Sequence, residues 1–170
     1  MPRIGFVAIS LFITLVAGCA HVDKTGEAQT QPSPPLTGEA RILQSWQGDY
    51  PVTRLDLLPE KQREQGVGFI NDPAVFEAVW KALQPGEGLP EIDFNDRLVL
   101  FARNTQFFNR IRIGKIDVKD GVAQVLAMET MSARPIEDKV AMSLVVVARK
   151  GITGVLSGQA VILFNMKPES

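Results

Sequence analysis

The sequence predicts an α+β fold, a mainly antiparallel β sheet that is curled or sandwich-like, with one packed helix at about residues 72–83. Three observations lead to this prediction. Short segments of alternating or continuous apolar residues recur along the chain, as half-buried or buried strands do. Turn residues separate many of these segments by hairpin-length connections. Only one segment has the apolar spacing of an amphipathic helix.

Strands are predicted wherever apolar residues alternate or run together between turn residues. Residues 52–58 (V-T-R-L-D-L-L) alternate in part, and Pro59 ends the segment. Residues 97–102 (R-L-V-L-F-A) are apolar on both faces, which is typical of a central strand. Residues 152–157 lie between glycines and receive no assignment. Further strands are predicted at 66–70, 111–118, 122–128, 141–148 and 159–164.

Local signals mark the helix, one turn and one irregularity. Asp72 suits an N-cap, and Pro73 suits the first helical position. The strand at 111–118 loses its alternation at Gly114, which indicates a β-bulge. The Asp120-Gly121 pair predicts a hairpin turn. The helix face expected in the core consists of Val75, Phe76, Val79, Trp80 and Leu83.

The composition excludes several classes of function. The chain has 170 residues, 45% of them hydrophobic and 22% charged, which suits one globular domain with a tail. Its formal net charge of −1 does not provide the basic surface that neutralises phosphates, so no nucleic-acid partner is predicted. With one cysteine and one histidine (His21), no disulfide within the chain, metal site or cofactor is predicted.

The first residues predict export and attachment of a lipid. Arg3 precedes an apolar run at 4–16 that is too short to span a bilayer and is typical of a secretory signal. The run ends in V-A-G-C at Cys19, which resembles the lipobox of bacterial lipoproteins, where the chain is cut before the lipidated cysteine. Ala20 follows, and the Gram-negative sorting rule that this resemblance implies then favours the outer membrane, facing the periplasm, with the cell surface left open.

Changes in composition divide the chain into three predicted parts. Residues 1–18 form the signal peptide. Residues 19–40 are rich in Thr, Gln, Pro and Gly without an apolar period, which predicts a flexible, lipid-anchored tether. Residues 41–168 form a single β-rich globular domain.

The motifs of the domain follow a recognisable order. A D-P-x-x-F-x-x-x-W helix begins at Asp72, and a P-x-I-D-F turn at Pro90 leads into an apolar strand. An I-x-I strand, a D-G hairpin and a V-V-V strand follow. Residues 68–150 thus resemble the C-terminal domain of PrcB-type proteins, lipoprotein subunits that assemble with and stabilise a surface protease complex. The family's T-G-G-aromatic turn is replaced here by N-T-Q-F-F-N at 104–109. The resemblance implies an accessory binding role without catalysis.

Two groups of polar residues are candidates for a site. Glu91, Asp93 and Asp96 could supply oxygens to Ca²⁺, but the favoured interpretation is that Asp93 and Asp96 cap or turn the chain into the next strand. The candidate partner-binding residues are an aromatic pair with neighbouring arginines, a composition typical of binding hot spots. They are Phe107, Phe108, Arg103, Arg110 and Arg112.

These features predict a lipid-anchored envelope protein that binds another protein as an accessory subunit, with a surface or periplasmic protease complex as the first assembly to consider. No enzyme activity is predicted, since no G-x-S-x-G motif is present and Ser157 has no histidine within the domain to activate it. The alternative is a lipoprotein that binds a small ligand or glycan in a groove near Phe107 or Trp80.

The lipid anchor gives the first prediction. The substitution Cys19→Ser removes the thiol that would carry the lipid, so the protein should leave the membrane fraction or remain uncut. Cell fractionation and the electrophoretic mobility of the chain measure this. Ala20→Ser, which keeps the cysteine, is the matched control and should stay with the membranes. A Cys19→Ser chain that is cut and still sediments with membranes would show that the anchor is not a lipid on this residue.

Overall fold

The computed structural model describes residues 35–104, 110–130 and 138–164. The predictions for the signal peptide, for Cys19, for residues 19–34 of the tether and for Phe107 and Phe108 lie outside these residues. The described residues form one α-helix and nine strands: β1 (Gly38–Glu39), β2 (Gln44–Pro51), β3 (Val67–Ile70), α1 (Pro73–Leu83), β4 (Arg97–Arg103), β5 (Arg110–Lys119), β6 (Val122–Thr130), β7 (Lys139–Ala148), β8 (Gly154–Ser157) and β9 (Ala160–Leu163).

The strands form two sheets. Sheet A has the order β1-β5-β6-β8-β9, and sheet B has the order β2-β7-β4-β3. The β6–β8 pair is parallel, and the other strand pairs of the described residues are antiparallel. The predicted α+β class, mainly antiparallel with one packed helix, is therefore confirmed, and of the two predicted sheet forms the structure has the sandwich-like one.

Sheet B is the middle of three layers. One of its faces packs on sheet A through Leu98, Leu100, Val145 and Val147, which share a core cluster with the isoleucines of β5. Its other face packs on α1. The strands β4 and β7 are therefore buried on both faces, as the sequence predicted for β4. The second core cluster is built from alternate residues of the same strands together with the apolar face of the helix: Val99, Phe101, Leu144, Val146, Phe76, Val79, Trp80 and Leu83.

The helix forms as its sequence predicts. The Asp72 carboxylate accepts hydrogen bonds from the backbone N–H groups of Ala74 and Val75 at 2.8 and 3.0 Å, which satisfies donors that have no partner within the helix. Pro73 occupies the first turn. Gln84 follows the last helical residue with a non-helical backbone, and its N–H still donates to Trp80 O.

The predicted turn and bulge of sheet A are both present. Asp120 and Gly121 have φ angles of 51° and 80°, which suit the type I′ turn that joins β5 to β6. The pairing register of β5 and β6 shifts between Ile113 and Lys115, which confirms the bulge at Gly114. The Ile113 N–H donates to Ser143 Oγ on β7 at 3.3 Å, so a hydrogen bond links the two sheets at the bulge.

The structure corrects the prediction for residues 52–58. Val52–Leu57 is a 3-10 helix rather than a strand. A 3-10 helix has three residues per turn, so Leu55 and Leu58 lie on one face, and both join the cluster beneath α1. The strand β2, directly before it, was not predicted because its inward positions include Gln44 and Gly48 and therefore carry a weak apolar signal.

The folded domain also begins earlier than the predicted boundary between residues 40 and 41. The backbone N–H of Leu36 donates to Gly151 O at 2.8 Å, and the N–H of Gly121 donates to Leu36 O at 2.9 Å. β1 pairs with β5, and Ala40 is buried in the core between the sheets. A strand of two residues is too short to show an alternating apolar pattern. The prediction for this segment therefore depended on composition, which favoured the tether. The unassigned residues 152–157 contain β8.

One buried glycine gives a prediction about packing. A Cβ at Gly68 would collide with Gln62 Oε1 and would lie 2.5 Å from Cζ of the Phe101 ring. Gly68→Ala should therefore lower the free energy of unfolding by about 2–3 kcal/mol, the range of an overpacked core. Gly88→Ala is the matched control, since nothing lies within 4 Å of its added Cβ, and it should change stability by less than about 0.5 kcal/mol. Denaturant unfolding measures both, and equal stabilities would contradict this account.

Tyr50, the chain's only tyrosine, gives a prediction about pH. Its side chain is fully buried, and its hydroxyl donates to Arg54 O at 2.8 Å. Burial raises the pKa of Tyr50 to about 12, against an ordinary value of 10.0, although the nearby Arg54 lowers it in part. Because the folded pKa exceeds the unfolded one, this contribution to stability is complete below about pH 10 and is lost between about pH 10 and 12, by up to about 2–3 kcal/mol.

Denaturant unfolding across this pH range, with the phenolate absorbance of Tyr50 as the titration signal, tests that loss. Tyr50→Phe should be less stable at neutral pH by about 1 kcal/mol, because it lacks the hydrogen bond. It should also lose less stability in alkali than the natural chain. Identical alkaline profiles would show that Tyr50 does not cause the loss.

Candidate functional site

Within the acidic segment at 91–96, Asp93 forms a turn. Asp93 Oδ1 accepts the backbone N–H of Asn95 at 2.9 Å, and Asp93 O accepts those of Asp96 and Arg97. This confirms that Asp93 turns the chain into β4. Across the described residues, no three His, Cys, Asp or Glu side chains are grouped closely enough to hold a metal ion.

The arginines predicted to flank an aromatic pair lie in different environments. Arg110 and Arg112 are exposed on β5. Arg103 is only 6% exposed, and its guanidinium donates to Gln65 O at 3.0 Å and to Arg63 O. Burial lowers the pKa of Arg103. The Arg103 guanidinium therefore holds the backbone of the segment before β3 and is too buried to contact a partner. Sequence spacing alone does not reveal this role.

Sheet A carries an exposed apolar surface on the face directed away from sheet B. Register places Leu156 opposite Val161 on β9 and opposite Gln124 on β6. Leu126 and Met128 follow two and four residues farther along β6, and Leu163 lies two residues beyond Val161 on β9. The most exposed members are Met128 and Leu163, at 64% and 65%. We call this surface the outer-face patch; it consists of Leu126, Met128, Leu156, Val161 and Leu163.

Basic residues border the outer-face patch on one side. Arg112 lies opposite Met128 and Lys115 lies opposite Leu126 across the β5–β6 pair. The Met128 side chain extends over Gly114, where an added Cβ would lie 3.6 Å from the Met128 methyl group. Lys115 forms an ion pair with Asp117 at 2.7 Å. The predicted candidates Arg110 and Arg112 thus lie on the strand that borders this patch.

β9 also presents an open backbone edge next to the patch. Ser157 and Ala160 flank a two-residue turn, and the N–H of Phe164 donates to Thr153 O at 2.9 Å. Because hydrogen-bonded and non-bonded pairs alternate along an antiparallel ladder, the N–H and C=O groups of Val161 and Leu163 point away from β8. In the parts of the chain that the structure describes, no strand pairs with this edge.

A second surface lies on the opposite side of the domain, where the loop after α1 runs beside the aromatic side chains of the helix. Two clefts, of about 560 and 390 Å³, meet at Pro90. The larger contains Phe76, Phe94 and Arg97, and the smaller contains Trp46 and Trp80. We call the pair of clefts the aromatic groove; its remaining lining residues are Pro73, Leu89, Glu91, Ile92, Asp93, Gln47, Gln84, Glu87 and Gly88.

The aromatic rings of the groove form one connected cluster. The ring centroids of Trp46 and Trp80 lie 5.2 Å apart in an edge-on arrangement, and those of Phe76 and Phe94 lie 5.7 Å apart. Trp46 and Phe76, at 6.4 Å, connect the two pairs. Trp80 is only 4% exposed, as predicted for a core residue. Its indole N–H has no hydrogen-bond acceptor among the described residues.

The loop that borders the groove is acidic. Between Lys81 and Arg97 the sequence contains four carboxylates and no basic residue. Lys81 is paired with Glu77 on the helix at 2.6 Å, and Arg149 donates to Phe94 O at 3.2 Å. Glu87 lines the smaller cleft and Glu91 lines the larger one, and neither forms an ion pair within the described residues. Sequence reasoning identified Trp80 and the carboxylates separately, but not that the loop brings them together.

No family model, curated protein or solved structure matches this chain. The resemblance to PrcB-type proteins therefore stays a prediction from the motifs. Within the described ranges, no helix has both the length and the apolar character needed to cross a membrane.

Proposed function

We propose that this protein is a lipid-anchored envelope protein that binds another protein through the outer-face patch and acts as its accessory subunit. Binding rather than catalysis is its proposed activity. A surface or periplasmic protease complex is the first assembly to test, because that is the role the motif resemblance implies.

The exposure of the outer-face patch is the observation that carries this proposal. Apolar side chains from three neighbouring strands lie on one sheet face that no described element covers. Several exposed apolar side chains on one face are typical of protein interaction sites. The patch contains Met128 and lies beside Arg112, and both residue types are enriched at protein interfaces.

The edge of β9 supports the same interpretation. The outward N–H and C=O groups of Val161 and Leu163 are available to an added strand, whose backbone would supply hydrogen bonds while the patch binds its side chains. Native proteins usually shield such edges with charge, proline or a covering element, because an open edge pairs readily with other chains. β9 (A-V-I-L) contains neither a charge nor a proline, and no described element covers its edge, which supports pairing with a partner.

The test is crosslinking in intact cells, followed by capture of the tagged full chain and mass spectrometry. Met128→Gln combined with Leu163→Gln removes the two most exposed apolar side chains without touching the core. The natural chain should capture one dominant envelope protein, and the double variant should capture about tenfold less of it, as expected when hot-spot side chains are lost.

Leu43→Gln combined with Val52→Gln is the matched control. These residues are exposed, at 42% and 37%, but lie outside the patch, so this variant should capture the same protein as the natural chain. Equal capture by the patch variant would place the interface elsewhere. Absence of any dominant protein partner would contradict the accessory role itself.

A further inference from the structure

The aromatic groove has the features of a second binding site, separate from the outer-face patch. Sheet A and α1 lie on opposite faces of sheet B, so the two surfaces face in opposite directions. We propose that the groove binds an extended, basic segment of a polypeptide, with lysine or arginine side chains at Glu87 and Glu91 and its apolar parts against the aromatic cluster.

The negative charge of the groove favours a positively charged ligand. Glu87 and Glu91 are exposed on the loop, and neither forms an ion pair within the described residues. Arg97 also lines the larger cleft, together with Asp93, so the carboxylates of the groove outnumber its one cationic side chain. A cationic ligand gains from these carboxylates, and an acidic one is repelled. A neutral glycan would gain nothing from the charge, which is why a basic peptide is the favoured occupant.

The indole of Trp80 is an independent sign of a ligand. A buried N–H without an acceptor costs free energy that a bound acceptor would recover. Trp80 lines the smaller cleft, and its buried indole N–H has no acceptor among the described residues. A peptide presents a carbonyl oxygen at every residue and is therefore well suited to supply one here.

The shape of the groove favours an extended ligand. The clefts lie on either side of Pro90, so one occupant must span both to contact Trp46 and Phe94. Aromatic-lined grooves bind extended proline-containing segments in several domain families, because such segments lose little conformational entropy on binding. Leu89, which is 48% exposed, adds an apolar contact at the rim.

The chain's two tryptophans both lie in this groove, so their intrinsic emission reports binding directly. The probe is a peptide of alternating lysine and proline, titrated into the full chain in vesicles of neutral phosphatidylcholine. A peptide of alternating glutamate and proline is the comparison. The lysine peptide should shift the emission and bind more weakly as salt is added, and the glutamate peptide should do neither.

Two variants test the contacts. Glu87→Gln combined with Glu91→Gln should weaken binding of the lysine peptide about threefold to tenfold, as the loss of two exposed charge contacts does. Trp80→Phe keeps an aromatic ring but removes the N–H donor, and should weaken binding about threefold or more. Circular dichroism and the emission of Trp46 establish that the Trp80→Phe chain is folded.

Matched controls separate this proposal from general charge effects and from the proposed function. Glu60→Gln combined with Glu64→Gln removes two exposed carboxylates outside the groove and should leave affinity unchanged, as should Met128→Gln combined with Leu163→Gln. Equal binding of the glutamate peptide, an equal loss in the Glu60/Glu64 control, or no emission change with the lysine peptide would overturn the proposal. An emission change with neutral maltohexaose alone would overturn it in favour of a glycan site.

Discussion

The burial of β4 and β7 on both faces is the constraint on which the rest of the structure depends. A strand with apolar residues on both sides must be covered twice, and the chain provides sheet A for one face and α1 for the other. This requirement places the helix beside β2 and brings Trp46 against Trp80. It also leaves the far face of sheet A as the surface that no described element covers.

The bulge at Gly114 shows how a local irregularity serves this layered arrangement. An extra residue in β5 releases one backbone N–H from the ladder with β6, and a buried polar group without a partner is costly. Ser143, on the facing strand of sheet B, accepts that N–H and is itself fully buried. A serine within the apolar run of β7 is thus explained by the opposite sheet rather than by any activity.

Much of the fold follows from local sequence, and the exceptions have physical causes. Asp72, Pro73 and the Asp120-Gly121 turn act through their nearest neighbours, so the sequence alone identifies α1 and the β5–β6 hairpin. The 3-10 helix at Val52–Leu57 has a partly alternating sequence that resembles a strand, and the two-residue β1 is too short to show a period.

The candidate surfaces were harder to predict for the same reason. The outer-face patch joins residues from β6, β8 and β9, and the β6–β8 pair is parallel, a contact between segments that are not consecutive in the chain. The buried position of Arg103 depends on carbonyl groups of residues 63 and 65, which only the folded chain brings to its guanidinium. Sequence spacing could identify Trp80 as a core residue, but not its unpaired indole N–H.

The way the chain enters the domain has a mechanical consequence. Leu36 is held by backbone hydrogen bonds to Gly151 and Gly121, and β1 by a short ladder at the edge of sheet A. A force applied from the N-terminal side would break these few hydrogen bonds one after another, because an edge strand separates from its sheet one residue pair at a time. Small edge segments open at low free-energy cost while the core persists. β1 would therefore yield first, and the layered core, both candidate surfaces included, would be protected from tension.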